Sequence, residues 1–386
     1  MVIFYPTEES SAAFLSLSSD GNYAISTHHG NYLVLWDIKK QKKTLLSKSA
    51  NIFSASFIKG GHTFLWQDLD NNVFVQSTKG KVIKKFNPKI ATYTHMMQSN
   101  LEDYFTFDVD MSIFHLKNKN IEKQIKVGHH EYWSMGKINT TSQEGSYLLT
   151  SSMGDLIGED FPFNIGASAS DLYQRVTAYS NYSFNEGTVL WSTTKNKPLI
   201  KFNGLSSASV ATISPDMKYV VAGDENGNRL QWSIKTGKRS RFKRTTFRDA
   251  LCYDDKECIE QLQEEMRTNL VAPDDMYSKK YAGGGGSVAV KFIDEQGHFL
   301  QFIEEARYAI LYKINLEKVQ AFLALGHDPQ PNDYDLHASG NTIATAPKAK
   351  TLAMAQLGKS GIIVYRYNEK INDLEKIWAP DGPPPH

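Results

Sequence analysis

Cysteine is almost missing from this chain: its 386 residues hold two, Cys252 and Cys258, in one short segment. That excludes a disulfide-built scaffold and the paired-cysteine zinc modules, and leaves at most one local disulfide. Long apolar runs are missing too. No stretch approaches the roughly 18 apolar residues of a membrane-spanning helix, and the opening MVIFYP is too short for the apolar core of a signal peptide. The expectation is a soluble, cytoplasmic chain; an exported form whose targeting segment has been removed is the alternative. An excess of either charge is absent as well, with 43 Lys and Arg against 42 Asp and Glu. Coating of nucleic acid by bulk charge is therefore excluded, and any basic function must be local.

Catalytic signatures are also missing. There is no Gly-x-Ser-x-Gly elbow and no His-Glu-x-x-His helix. Gly358-Lys359-Ser360 resembles the end of a phosphate loop, but Ala353 stands where that loop needs its first glycine. The pairs His28-His29 and His129-His130 read as exposed loop residues, since a metal site would need further ligands from elsewhere. No enzyme, cofactor or metal is expected.

What is present is a repeat. Residues 13 to 37 alternate apolar and polar positions in three short runs, separated by an Asp-Gly turn and a Gly-Asn turn and ending in Trp36-Asp37. A weaker copy ends at Val75, and further copies end at Phe114, Trp191, Trp232, Tyr312 and Tyr365. The intervals are roughly 40 residues or twice that, the last somewhat longer, which suits a four-strand unit. Such a unit is too small to bury itself and must stack on its neighbours.

The units around Trp36 and Trp232 resemble WD-repeat blades, with a Ser-x-Asp-Gly or Ser-Pro-Asp turn, a small-residue second strand and a terminal Trp. The resemblance implies an all-β, seven-bladed β-propeller spanning residues 1–386 as a single domain. Trp36-Asp37 is the one Trp-Asp pair, and no unit carries the family's full hydrogen-bonded tetrad. Counts of six or eight blades and a non-WD propeller are the alternatives. Val2 to Tyr5 is the expected ring-closing strand, beside the last unit.

Two insertions interrupt the repeat: 153–186 within the fourth unit, and 238–286 between the fifth and sixth. Together with the Pro-rich 327–335 they should emerge on one rim, opposite the Asp-Gly turns, and loops of this length are usually functional. Within the second, Lys235, Lys238, Arg239, Arg241, Lys243, Arg244 and Arg248 form a basic arm with Phe242 and Phe247, followed by an acidic segment of helical spacing. The arm either clasps phosphates or an acidic partner, or folds against that segment. Gly283 to Ser287 is similar to an engineered flexible linker standing where a native stretch was removed. Tyr132, Trp133 and Tyr173 are further candidate contacts, because loop aromatics supply contact area at low entropic cost.

These readings point to a non-enzymatic protein-protein interaction scaffold within a larger assembly. Binding of nucleic acid or a phospholipid headgroup through the arm is one alternative, and a periplasmic ligand-binding or enzymatic propeller is another.

Overall fold

The alternating runs fold as strands, each ended by a residue that turns the chain back. The structure is a computed structural model; it describes residues 12–381 apart from the connections 29–31, 48–51, 59–60, 69, 71, 88–96, 99–102, 108–111, 118–119, 127–136, 142–146, 153–186, 193–196, 203–207, 225–228, 241–286, 304–307, 317–318, 325–341 and 356–360. The described strands form seven antiparallel sheets, six of four strands and one of three. The first holds β1 (Ala12–Leu17), β2 (Tyr23–His28), β3 (Tyr32–Asp37) and β4 (Lys42–Ser47). The second holds β5 (Ile52–Phe57), β6 (Thr63–Asp68), β7 (Val73–Ser77) and β8 (Val82–Phe86). The third holds β9 (Met97–Gln98), β10 (Asp103–Phe107), β11 (Ser112–Lys117) and β12 (Asn120–Lys126), and the fourth β13 (Lys137–Thr141), β14 (Tyr147–Ser152), β15 (Gly187–Ser192) and β16 (Lys197–Phe202). The fifth has β17 (Ala208–Ile213), β18 (Tyr219–Asp224) and β19 (Arg229–Ser233); the sixth has β20 (Ser287–Phe292), β21 (His298–Ile303), β22 (Tyr308–Lys313) and β23 (Ala321–Ala324). The seventh is β24 (Ile343–Ala346), β25 (Thr351–Ala355), β26 (Ile362–Asn368) and β27 (Asp373–Trp378). A single 3-10 turn, Pro347–Ala349, is the helical structure among the described residues. The all-β expectation holds. Val2 to Tyr5 and the acidic segment after the arm lie outside the described residues, and the seventh sheet draws all four of its strands from residues 343–378.

Register superposes the sheets. The third residue of each second strand is Ile25, Leu65, Leu149, Val221, Leu300 or Ala353 in the six sheets whose side chains are described there, and each is 0% exposed. Its partner on the third strand is Leu35, Val75, Leu190, Gln231, Leu311 or Val364, all buried. This central layer is the core of each of these six sheets, and alternation then sends the flanking positions to the opposite face. Trp36, Trp191, Trp232, Tyr312 and Tyr365 share one register position, opposite the second residue of the second strand. Val75 and Phe114 do not. Val75 lies opposite the third residue, so Gln76 holds the Trp36 position in the second sheet, and Phe114 lies opposite the fourth residue of β10.

The sheets pack face to face through shared apolar clusters. One joins Leu15, Leu17 and Trp36 of the first sheet to Ala353, Ile362 and Val364 of the seventh. Others couple the first sheet to the second, the fourth to the fifth, the fifth to the sixth and the sixth to the seventh. First strands meet in chain order: β1 lies against β5, β5 against β9, β9 against β13, β13 against β17, β17 against β20, β20 against β24, and β24 against β1.

Candidate functional site

The tight turns after the first and third strands carry the best-defined polar chemistry among the described residues. All nine described residues with positive φ lie in them: Gly21, Met217, Gly297 and Lys350 after first strands, and Gln41, Gly80, Gly237, Asn315 and Asn372 after third strands. In the first sheet Ser18 Oγ donates to Asp20 Oδ1 at 2.6 Å, and the Asn22 amide donates to the same oxygen at 3.1 Å. The fifth sheet repeats this with Ser214 Oγ to Asp216 Oδ1 at 2.6 Å and the Lys218 amide at 3.1 Å. In the sixth, Asp294 accepts from the Gln296 and His298 amides and meets His298 Nδ1 at 2.6 Å.

These turns also clasp neighbouring sheets. Asp20 Oδ2 meets His62 Nε2 of the second sheet's turn at 2.7 Å. Burial pushes the Asp20 carboxyl upward, but bonds from Ser18, His62 and Asn22 outweigh it and hold the group below the usual carboxylate range. Gln231, fully buried in β19, donates to Asn315 Oδ1 of the sixth sheet at 2.8 Å and accepts from the Asn315 amide at 3.2 Å. Arg229 sets its guanidinium 3.5 Å from the ring centroid of Tyr312, tying the same two sheets by a cation–π contact.

Of the basic arm and the candidate loop contacts, Lys235, Lys238 and Arg239 are described, and Lys235 is exposed in the turn before Gly237. Lys238 and Arg239 are exposed too, but neither belongs to a free arm: the Ser233 amide donates to Lys238 O at 3.0 Å, Arg239 bridges Trp232, and the Ser240 amide donates to Gln231 O at 2.8 Å. Gly237, at φ 66°, supplies the left-handed turn that folds the chain back as an edge beside β19. The insertion expected from 238 therefore begins after this hairpin. Arg241, Phe242, Lys243, Arg244, Phe247, Arg248, Tyr132, Trp133 and Tyr173 lie outside the described residues. So do Gly283 to Gly286, whereas Ser287 opens β20 and pairs with Ile303, which removes it from the linker reading.

His28 also departs from expectation. It ends β2, is 2% exposed, and its Nε2 lies 2.7 Å from Ser26 Oγ, which in turn accepts from Trp36 Nε1 at 2.8 Å. This is a buried indole–hydroxyl–imidazole chain rather than a loop histidine. The second sheet swaps the parts across the two strands. Trp66 stands at the Ser26 position and donates through Nε1 to Oε1 of Gln76, at the Trp36 position, at 2.8 Å.

Sequence reasoning passed over Lys291. On β20 it occupies the register position that Ser16, Ser56, Thr140 and Thr212 hold on other first strands. Ser16 Oγ there accepts from the Phe57 amide of the next sheet at 3.0 Å, a bond an ammonium cannot make. Burial pushes the Lys291 amine down to about 8. The unfolded chain therefore binds the extra proton between that value and the ordinary lysine range near 10.4, so stability rises through this window and carries the full penalty below it. Replacing Lys291 by Met is expected to stabilise the fold by about 1–3 kcal/mol at about pH 7, with the gain shrinking toward about pH 10. Thermal melts at both pH values check this; equal gains would show that the buried charge is not the cause.

Among the described residues no group of three or more His, Cys, Asp and Glu is placed to hold a metal ion, and no helix is long and apolar enough to cross a membrane. No protein-family model matches the chain, and no curated protein matches it.

Proposed function

We propose that the chain is a WD-repeat-like seven-bladed propeller acting as a non-enzymatic interaction scaffold, with one insertion-bearing face presented to a protein partner within a larger assembly. The carrying observation is the order of first-strand contacts, which runs through all seven sheets and returns from β24 to β1. In a ring of that order, antiparallel alternation puts the turns after first and third strands at one end. The connections 153–186, 241–286 and 325–341 then leave from the other. A rigid ring that lends one end to long loops is a common way to build a binding face.

Affinity capture with the intact chain and with the Lys243→Glu/Arg244→Glu variant tests the reading. The expected result is one stoichiometric protein partner that is lost on charge reversal, while the melting temperature of the isolated chain stays within about 1 °C, as for a surface change. Capture of nucleic acid alone would overturn it.

A further inference from the structure

We infer that the tight-turn end is a second interaction surface, one that docks on an anionic lipid bilayer. The inference rests on the ring reading above for the coplanarity of its turns, and it uses none of the insertion residues.

Tips of the turns after the third strands carry lysines and exposed aliphatic residues. Lys39 stands exposed at the first sheet's tip, Lys79 and Lys81 at the second's, and Lys235 and Lys238 at the fifth's. None of these five has an ion-pair partner among the described residues. The sixth and seventh sheets, consecutive in the ring, add Leu316 and Ile371 at their tips, 44% and 63% exposed, the second beside exposed Lys370. Among the described residues all six exposed large hydrophobic side chains lie in these turns or in the fourth strands beside them; the other four are Leu45, Val82, Ile83 and Leu199. Most carboxylates on the same end are already engaged: Asp20 by His62, Asp37 by Lys40, Asp216 by Lys218, Asp294 by His298 and Glu369 by Lys350, with Glu295 and Asp373 exposed beside them. The free charge is therefore mainly cationic.

Lysines on an outer strand have a plainer use, since they blunt an exposed sheet edge against pairing with another chain. That use does not extend to turn tips, which present no ladder, and it gives no reason for exposed Leu316 and Ile371. A nucleic-acid backbone would take the lysines but offers nothing apolar to the two aliphatic tips. An anionic bilayer takes both. Each lysine near its surface gains roughly a fivefold affinity, and aliphatic side chains settle at the boundary between headgroups and acyl chains. A flat surface also meets tips spread around a ring at once, which a rod-shaped polyanion cannot.

Cosedimentation with vesicles of phosphatidylcholine alone, and of phosphatidylcholine with phosphatidylserine, tests this. Both measurements use the intact chain, the Lys39→Glu/Lys79→Glu/Lys81→Glu variant and the Leu316→Ser/Ile371→Ser variant. Binding is expected only to the phosphatidylserine vesicles, weaker by about a hundredfold for the charge variant and by about tenfold for the apolar variant, with melting temperatures retained. Absence of vesicle binding by a chain that forms a seven-part ring in electron micrographs would overturn the inference alone. Duplex DNA binding that the charge variant loses and the apolar variant keeps, without vesicle binding, would overturn it in favour of a polyanion rod. Micrographs without a ring would overturn the scaffold reading and the coplanarity together.

Discussion

Replacing Trp36 by Ala is expected to cost about 3–5 kcal/mol, the range for truncating a large, fully enclosed aromatic side chain. Trp36 is 0% exposed and sits among Leu15, Leu17 and Val34 of its own sheet and Ala353, Ile362 and Val364 of the seventh, with the Trp378 ring 6.1 Å away edge-on. The lost volume thus lies in the joint between the first and last sheets, where backbone from two distant stretches would have to move together to fill it. Trp36 Nε1 also donates to Ser26 Oγ, so Ala leaves Ser26 with only the His28 ring as a side-chain partner. For a chain of this length the loss corresponds to a fall in melting temperature of about 4–6 °C. Trp36→Phe separates the two effects. It keeps most of the ring volume and removes the donor, and should cost about 1–2 kcal/mol. Equal losses for the two variants would mean that the hydrogen bond, not the packing, carries the joint.

That joint was legible in the sequence as far as the aromatic marker went. Trp36, Trp191, Trp232, Tyr312 and Tyr365 share one register position, and spacing alone finds them; at Trp36, Trp232, Tyr312 and Tyr365 that position lies between two sheets and admits a large flat side chain. The second sheet misled the reading because its indole moved to the neighbouring strand. With Trp66 on β6, its third-strand hydrogen-bond partner is Gln76, and the apolar residue that the spacing picks out is Val75, one residue away and on the opposite face. His28 misled for a related reason: two histidines before a Gly-Asn turn look like loop, yet the first is the last residue of β2 and its ring is spoken for by Ser26.

The candidate surfaces were less legible. Charge clustering drew attention to the arm from Lys235 onward, but Gly237 folds its first residues into the fifth sheet's hairpin, and charge says nothing about φ. Lys291 escaped notice because a lysine in an alternating strand reads as the solvent side, whereas a first strand that meets two other first strands has little solvent side. The tip lysines and the exposed Leu316 and Ile371 are scattered in sequence. They form a pattern only after register has superposed the sheets and shown that each ends the same strand.

A second large effect is expected where the first and seventh sheets touch through their turns. Gly21 has φ 67°, and a Cβ built on it would stand 2.7 Å from both Ala349 Cβ and Thr351 Oγ1. Gly21→Ala therefore carries two costs. The left-handed backbone asks about 1–2 kcal/mol of any L side chain, and the forced separation of two packed turns adds about 1–3 kcal/mol. Gly80 provides the comparison, with φ 84° and nothing within 4 Å of its built Cβ, so Gly80→Ala should show the backbone cost alone. The difference between the two variants, read from denaturant midpoints, measures how tightly the chain's first sheet is pressed on its last. Adding Ala349→Gly to Gly21→Ala removes one of the two atoms in the way and should recover part of that difference, leaving the Thr351 contact and the backbone cost. If Gly21→Ala and Gly80→Ala cost the same, the turns yield to each other freely, and the contact between β24 and β1 must hold the two sheets together through the Trp36 cluster alone.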